Sequence, residues 1–321
     1  MTAGDEGSRP DPAQVPPVPG LCCPDCGGPL VAAGAALQCR REGVPKAVQR
    51  DGVIDFVAAA DGDRGGLAGF GYQWARVLPV GADTEEAYGN RLDDLVERIP
   101  RWLGLAPGDL RRARVADIGC GHGLYARALA ALGARVAAVD LSGSVYGLAR
   151  TPVRGAPLDC IRADVFRLPL EEGAFDVVLA FGMVHHTAAP RRALEICARR
   201  LAPGGRLLAY VYEPWRVGHV SLRRLFPLPS RLPPPVLHAF CRVAALPLLA
   251  LQALLRRRLP TGRAYRNMVL GLFDAYSPRH VFTFPAAEVM GWLRAAGLEE
   301  VRRVDRCTYV ARRPADPVVS P

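Results

Sequence analysis

The stretch Val115-Ala-Asp-Ile-Gly-Cys-Gly-His-Gly123 decides how the chain folds, because an apolar segment runs directly into three alternating glycines. Residues 114–118 have the β-branched and apolar pattern of a buried strand, and residues 124–132 have the pattern of a helix. Glycines at such a junction let the backbone turn tightly and approach a ligand more closely than any Cβ would allow. The first N–H groups of the helix have no partner within it and can bind a polar or anionic group. The pattern predicts a nucleotide-binding turn.

The glycine spacing distinguishes between classes of nucleotide. A dinucleotide fingerprint requires a small residue three positions after the second glycine, and this chain has Leu124 there. The spacing is instead Asp117-x-Gly119-x-Gly121-x-Gly123, which resembles motif I of the class I methyltransferases that use S-adenosylmethionine (SAM).

Further motifs follow in the order that this family has. A strand over residues 135–139 ends in Asp140, Ile161-Arg-Ala-Asp164-Val-Phe166 comes next, and a strand over 175–180 precedes Phe181-Gly-Met-Val-His-His186. Leu201-Ala-Pro-Gly-Gly205 then precedes a strand over 206–212. The resemblance implies that Asp140 binds the two ribose hydroxyls of SAM and Asp164 the adenine amino group. It implies a cofactor site made of Asp117, Gly119, Cys120, Gly121, Gly123, Asp140, Leu141, Asp164, Val165 and Phe181.

The alternation of strands and helices predicts an α/β fold with a Rossmann-like parallel sheet, buried on both faces. Ligands of such sheets bind beyond the carboxyl ends of the strands. We expect a SAM-binding core over residues 105–212, completed by a helix and an antiparallel closing hairpin over 285–313. The other predicted segments are a disordered tail (1–20), a small ribbon module (21–57), a linker with an amphipathic helix at 84–103 (58–104), and a lid insertion (213–284).

His185 and His186 form the only histidine pair in the chain. The unperturbed pKa of histidine lies near neutral pH, which suits a general base. In similar methyltransferases this position lines the methyl-transfer site, so both are candidate catalytic residues. The alternative is a structural histidine that binds the loop backbone. His122, inside the glycine turn, is expected to pack there.

The ribbon module resembles a zinc ribbon. Cys23 and Cys26 have the spacing of a first knuckle, and Cys39 would begin the second. A closed structural zinc site needs a fourth donor, and that position holds Glu42, which matches a thiolate-rich site poorly. The sequence leaves three alternatives: a ribbon without metal, zinc completed by Glu42, or zinc completed by Cys22.

Four residues outside the core are candidate substrate contacts. Tyr72 and Trp74 belong to an aromatic segment that precedes the catalytic domain in many small-molecule methyltransferases, where they either close over the cofactor or anchor the linker. Tyr276 and Arg279 lie in a stretch that resembles one found before the last helix of several SAM-dependent enzymes.

The positive charge is concentrated in one segment. The formal net charge is +10, and residues 215–273 contain ten arginines and no acidic residue. Within it, residues 236–255 are apolar and about long enough to span a membrane. A span there would separate strands of one sheet, so we expect a substrate lid, a helix in a membrane interface, or a cap that only packs on the core. Nine scattered cysteines and no secretion signal favour the cytoplasm, with a peripheral position at the inner membrane face as an option.

Together these features predict methyl transfer from SAM to a small-molecule acceptor that is amphiphilic, lipid-like or a natural product, with O-methylation favoured. Two alternatives remain. An rRNA guanine methyltransferase also has a zinc ribbon before this core, although leucines and prolines interrupt the arginines here, which disfavours nucleic acid. The second alternative is a SAM-binding partner protein without its own catalysis.

Overall fold

The computed structural model describes residues 18, 20–57, 67–77, 86–214, 218–256 and 259–316. Nearly all of the predicted tail, most of the predicted linker and the predicted helix start at Thr84 lie outside these residues.

Eleven of the strands in the described residues form one sheet, in the order β1-β2-β3-β4-β9-β8-β7-β10-β11-β13-β12, and β5 pairs with β6 separately. The strands are β1 Leu30–Ala33, β2 Ala36–Cys39, β3 Pro45–Arg50, β4 Val53–Asp55, β5 Glu86–Ala87, β6 Asn90–Arg91, β7 Arg114–Ile118, β8 Arg135–Asp140, β9 Leu158–Arg162, β10 Phe175–Phe181, β11 Leu201–Tyr210, β12 Glu299–Asp305 and β13 Thr308–Arg312.

The helices either cover a face of the central sheet or belong to the apolar cluster of the lid segment described below. They are α1 Leu67–Tyr72, α2 Leu92–Leu103, α3 Leu124–Ala131, α4 Ser144–Ala149, α5 Pro190–Arg199, α6 Gly218–Leu225, α7 Pro234–Arg256, α8 Gly262–Tyr276 and α9 Ala286–Ala295. Neighbours from β9 to β11 are parallel, and β13 joins β11 in the antiparallel sense with β12 outside it. The predicted Rossmann-like sheet with a closing hairpin is confirmed.

The central strands are apolar because both of their faces are covered. Val115 of β7 packs into the apolar cluster on one face, which includes Leu95 and Leu129. Ala116 packs into the cluster on the other face, with Ile161 and Val178. Polar residues therefore gather where the strands end.

The ribbon module extends this sheet and does not form a sheet of its own. Its last strand, β4, runs parallel to β9, with Val53 opposite Cys160 and Asp55 opposite Arg162. Asp55 is fully buried and accepts hydrogen bonds from Tyr146 Oη at 2.6 Å and Arg162 Nη1 at 3.3 Å. This buried carboxylate fixes the ribbon to the edge of the core.

The predicted helix at 84–103 begins later than expected, at Leu92. The preceding described residues form the β5–β6 hairpin, whose turn at Tyr88 and Gly89 has φ of 52° and 79°. Two consecutive positive φ angles are incompatible with a right-handed helix. From Leu92 the amphipathic pattern holds, with Leu95 and Ile99 fully buried.

The lid segment folds into α6, α7 and α8, which share an apolar cluster of their own. Leu237, Cys241 and Ala245 of α7 are buried in it with Leu272 and Phe273 of α8. The last turns of α8 reach the carboxyl ends of the core strands, as the contacts of Asp274 below demonstrate.

Candidate active site

The glycine turn is held against the ends of β7 and β8 by backbone hydrogen bonds. Gly119 has φ of 77° and donates its N–H to Val139 O at 2.7 Å. Gly121 has φ of 55°, and a Cβ there would lie 2.8 Å from the ring of Trp74. Glycine is required at 121 both by this backbone conformation and by the close approach of the ring.

Asp140 faces the glycine turn, as the resemblance implies. Its Oδ2 accepts the N–H of Gly121 at 2.8 Å, and its Oδ1 accepts the N–H and hydroxyl of Ser142 at 2.8 and 2.7 Å. A carboxylate accepts about four hydrogen bonds, so Asp140 retains capacity for a ligand hydroxyl. Burial raises the pKa of Asp140, while these hydrogen bonds oppose the rise.

Asp117 is a buried carboxyl group two residues before the turn. Its Oδ2 has no hydrogen-bond partner among the described residues. Burial, followed by the charge of Asp140, raises the pKa of Asp117 to about 7. An orphaned carboxylate oxygen beneath a glycine turn is suited to a ligand that brings a donor or a positive charge, and SAM carries both.

This buried carboxyl predicts a measurable dependence of stability on pH. The pKa of Asp117 is higher in the folded chain than its ordinary value of 3.8, so the folded state binds more protons between about pH 4 and pH 7, and stability falls as the pH rises through that window. Asp117→Asn is therefore expected to raise the free energy of unfolding by about 1–4 kcal/mol at pH 8, at ~1.4 kcal/mol for each pKa unit. Near pH 4 it should have little effect.

Denaturant unfolding of the ligand-free protein at the two pH values measures this. The matched control is Asp51→Asn, since Asp51 is exposed and pairs with exposed Arg150; it should change stability by less than about 0.5 kcal/mol. Equal effects of Asp117→Asn at both pH values would contradict the account.

The remaining predicted cofactor residues lie along the same edge of the sheet. Asp164 caps the short turn 165–167 by accepting the N–H of Phe166 at 2.9 Å, and Val165 is buried behind it. Leu141 O accepts Arg162 Nε at 3.1 Å. Phe181 packs in an aromatic cluster, with its ring 4.2 Å from that of Tyr125. Cys120 is buried in the turn, and its N–H binds Val139 O.

His186 lies shortly after β10, with a carbonyl oxygen near one ring nitrogen and a carboxylate near the other. Its Nδ1 lies 3.1 Å from the carbonyl oxygen of His280, and its Nε2 lies 3.7 Å from Asp274 Oδ2. Met183, three residues earlier, lies directly over Gly119, where a Cβ would come within 2.4 Å of the Met183 Cβ. The turn that carries His186 is thus in contact with the glycine turn.

His185 has different surroundings. It is fully buried, its ring stacks on Tyr212 with centroids 3.7 Å apart, and its Nδ1 accepts the Tyr212 N–H at 3.4 Å. Burial, followed by the neighbouring His186, holds the pKa of His185 well below its ordinary value. Of the two predicted catalytic histidines, this environment suits a neutral structural side chain, and His186 is the one paired with an acid.

Asp274 is the centre of a buried polar network, and it was not among the residues predicted from the sequence. It accepts hydrogen bonds from Tyr212 Oη at 2.6 Å, Tyr88 Oη at 3.0 Å and Gln73 Nε2 at 3.3 Å. Burial alone would raise its pKa, but His186 and these donors outweigh burial and hold the pKa of Asp274 below its ordinary value. One signal was available: Asp274 is the first acidic residue after Glu213.

The four predicted substrate contacts do not lie together. Trp74 stacks on His122 with centroids 5.0 Å apart and covers Gly121. That it closes over the cofactor stays a prediction. Tyr72 packs in the lid cluster with Phe273. Tyr276 is fully buried in that cluster and Arg279 is exposed on the surface, and their contact with substrate stays a prediction.

The predicted metal ligands are brought together elsewhere. Cys23, Cys26 and Cys39 converge in the ribbon module, and Glu42 joins them.

The strands and turns that form this site match a known protein family. Residues 116–209, from β7 into β11, match the model of the methyltransferase domain. Over these residues the chain is similar to that family, and they are called the methyltransferase domain below. SAM is the methyl donor that this site fits. The glycine turn and Asp140 can hold its ribose, and the unpaired carboxylate oxygen of Asp117 can accept a donor group from it.

Two curated relatives resemble the methyltransferase domain in sequence. Ubiquinone biosynthesis O-methyltransferase of Xanthomonas oryzae pv. oryzae (strain PXO99A) is 39% identical over 102 residues, which are 31% of this chain and 43% of the relative. That of Xylella fastidiosa (strain 9a5c) is 37% identical over 120 residues, 36% of this chain and 45% of the relative. The chain thus spans less than half the length of these relatives.

Among solved structures, the chain is similar to Burkholderia thailandensis 1,6-didemethyltoxoflavin-N1-methyltransferase, whose structure has 1,6-didemethyltoxoflavin and S-adenosylhomocysteine bound. The identity is 21%, the TM-score is 0.39, and the match covers 72% of this chain and 80% of that one.

Proposed function

We propose that the chain transfers the methyl group of SAM to a hydroxyl of an amphiphilic small molecule, with His186 as proton acceptor. The observation that carries this proposal is the pairing of His186 with Asp274 beside the glycine turn, at an Nε2–Oδ2 distance of 3.7 Å. A hydroxyl acceptor has a proton to lose and benefits from a base, whereas a nucleophile that is already competent does not need one. The O-methyltransferase relatives support the same assignment.

When bound, SAM supplies a methyl group that its sulfonium has already made electrophilic. The task of the protein is then to align the acceptor oxygen with that methyl group, and such alignment can supply roughly 7–11 kcal/mol of the barrier at best. Asp140 and the glycine turn orient the donor, and Met183 packs over Gly119 of that turn.

One hydrogen bond of His186 assigns the proton of the neutral ring: the carbonyl of His280 can only accept, so Nδ1 carries that proton. Nε2 lies 3.7 Å from Asp274 Oδ2, too far for a hydrogen bond, so its lone pair is left for the proton of the acceptor. SAM, held by Asp140 and the glycine turn, would supply its methyl group to the acceptor oxygen, and the hydroxyl proton would pass to His186 Nε2. The resulting imidazolium is stabilised by the carboxylate of Asp274, which its low pKa keeps ionised. The products are a methyl ether, S-adenosylhomocysteine and a proton later released to solvent.

Labelled SAM identifies the acceptor. The protein is incubated with methyl-labelled SAM and a host extract, which is then separated into organic-soluble, RNA and aqueous fractions. The proposal expects label in the organic-soluble fraction as an ether stable to mild base. Label in RNA would favour the rRNA alternative, and no transfer at all would favour a binding protein without catalysis; either result overturns the proposal.

We further propose that α7 places the lid on an anionic membrane surface, from which the acceptor enters. Among the residues that the structure describes, one helix is long and apolar enough to span a membrane, namely Pro234–Leu255. Only 22% of its most apolar stretch is buried in the protein. The α8 helix that follows it returns Asp274 to the core. A helix whose two flanks are both fixed to one side of the molecule lies along a membrane instead of crossing it.

The surface of α7 supports this proposal because the helix is apolar on two faces. Leu237, Cys241, Ala245 and Leu249, spaced by four, face the lid cluster. A second apolar row faces solvent: Val236, Phe240, Val243, Leu246, Leu251 and Leu254. Exposed Arg231, Arg242 and Arg266 lie in the same acid-free segment, so the charge complements anionic headgroups.

Flotation with liposomes tests the membrane proposal. The wild type is expected to float with vesicles that contain phosphatidylglycerol, more weakly with phosphatidylcholine alone, and less at high salt. Leu246→Glu combined with Leu254→Glu should reduce flotation about 10-fold or more, because each leucine inserted contributes roughly 1.5–3 kcal/mol when fully buried. The control is Val31→Glu with Val44→Glu, two exposed valines of the ribbon. Equal flotation of both double variants would contradict the proposal.

A further inference from the structure

We propose that the ribbon module holds a structural Zn2+ ion, bound by the thiolates of Cys23, Cys26 and Cys39 and by one carboxylate oxygen of Glu42. One candidate ligand atom from each residue lies within 4.8 Å of the other three. A tetrahedral site with Zn–S distances of ~2.3 Å separates its sulfurs by about 3.7 Å. The Sγ atoms of Cys26 and Cys39 are 3.5 Å apart, and Cys23 Sγ lies 3.8 Å from Glu42 Oε1. The four groups are therefore already spaced for one ion.

Two similar backbone turns present these groups. In the first, Gly27 N donates to Cys23 O at 2.9 Å, and in the second, Gly43 N donates to Cys39 O at 2.8 Å. Gly27 and Gly43 both have positive φ, at 65° and 70°. Glu42 thus occupies in the second turn the position that Cys26 occupies in the first, three residues after the leading cysteine. Its place in the cluster follows from the backbone.

The carboxylate of Glu42 is oriented for binding through one oxygen. Its Oε2 forms an ion pair with Lys46, which leaves Oε1 facing the cysteines. Lys46 also pairs with Asp25 at 2.7 Å, and Asp25 pairs with Arg167. Lys46 therefore fixes the ligand and offsets part of the charge of three thiolates and a carboxylate around Zn2+. Outer groups of this kind orient metal ligands and tune the affinity.

Cys22 is excluded as the fourth donor. Its N–H binds Pro169 O at 3.0 Å, and its thiol is not part of the cluster. On binding, the three thiols release their protons to solvent, so affinity rises with pH. The ion would brace the turn that carries Asp25, whose partner Arg167 ends the short turn capped by Asp164. This inference does not depend on the proposed methyl transfer.

Metal analysis of the full chain, purified under reducing conditions, tests the proposal. We expect about 1 mol of zinc per mol of chain. Replacement by Co2+ should give the intense visible bands of a tetrahedral ion together with sulfur-to-cobalt charge transfer. A chain that binds neither metal, or an octahedral cobalt spectrum, would overturn the proposal.

Variants then test the ligand set by competition with a chelator. Glu42→Ala should weaken zinc binding more than Lys46→Met, for which the loss should be about 10- to 100-fold. Glu42→Cys should retain zinc in a site of four thiolates. Cys22→Ser is the matched control and should bind like the wild type. If the Glu42→Ala variant keeps the zinc affinity of the wild type, or the Cys22→Ser variant loses zinc, the fourth ligand is assigned wrongly.

Discussion

Replacing His186 by glutamine is expected to lower kcat for methyl transfer about 10²- to 10⁴-fold, with SAM affinity unchanged. Glutamine keeps a polar side chain but cannot take a proton from the acceptor. The loss should shrink as the pH rises, because the acceptor hydroxyl then ionises without help. The acceptor fraction found with labelled SAM serves as substrate, and kcat is measured from pH 6 to pH 10. A structural role for His186 would not produce this pH-dependent recovery.

Asp274→Asn is expected to give a similar loss, because Asp274 acts through His186 as a positioning residue. Residues that act as a unit are not additive, so the double variant should be little worse than either single one. His238→Gln, the same substitution at a lid histidine that contacts Tyr72, is the control and should retain activity. Full kcat in His186→Gln would contradict the proposed proton acceptor.

Replacing Asp140 by alanine is expected to weaken SAM binding about 10- to 100-fold. A hydrogen bond to a charged group contributes about 1.5–3 kcal/mol, and 1.4 kcal/mol is tenfold in affinity. The substitution also removes the acceptor of the Gly121 N–H, so the turn itself loses a support. The dissociation constant is measured by calorimetry.

The matched control for Asp140 is Asp176→Ala. Asp176 lies near the amino end of β10, at the opposite edge of the sheet, and its pairing with Arg114 is about half exposed. This variant should bind SAM like the wild type. If the Asp140→Ala and Asp176→Ala variants bind SAM equally well, the ribose contact implied for Asp140 is wrong.

The central sheet and the glycine turn were predictable because short-range patterns encode them. Strand β7, the glycine turn and strand β8 with Asp140 lie within residues 114–140, and each has a local physical reason. The start of α2 was not predictable, since the β5–β6 hairpin depends on positive φ at Tyr88 and on the bond of that residue to Asp274. Nor was the joining of β4 to β9, which is set by pairing between residues about 100 positions apart.

Asp274 and Tyr276 have different surroundings for a geometric reason. Successive residues of a helix are rotated by about 100°, so Asp274 and Tyr276 lie on nearly opposite sides of α8. The sequence placed this stretch near the substrate but could not decide which side faces His186. The structure turns Asp274 toward His186 and buries Tyr276 in the lid.

SAM binding at the bend of residues 117–123 underlies every proposed role in the active site. Calorimetric titration of the unmodified protein tests this binding most directly. SAM and S-adenosylhomocysteine should each bind at one site per chain, and NAD should release no heat under the same conditions. Binding of NAD, or no binding of SAM by the folded protein, would contradict the account.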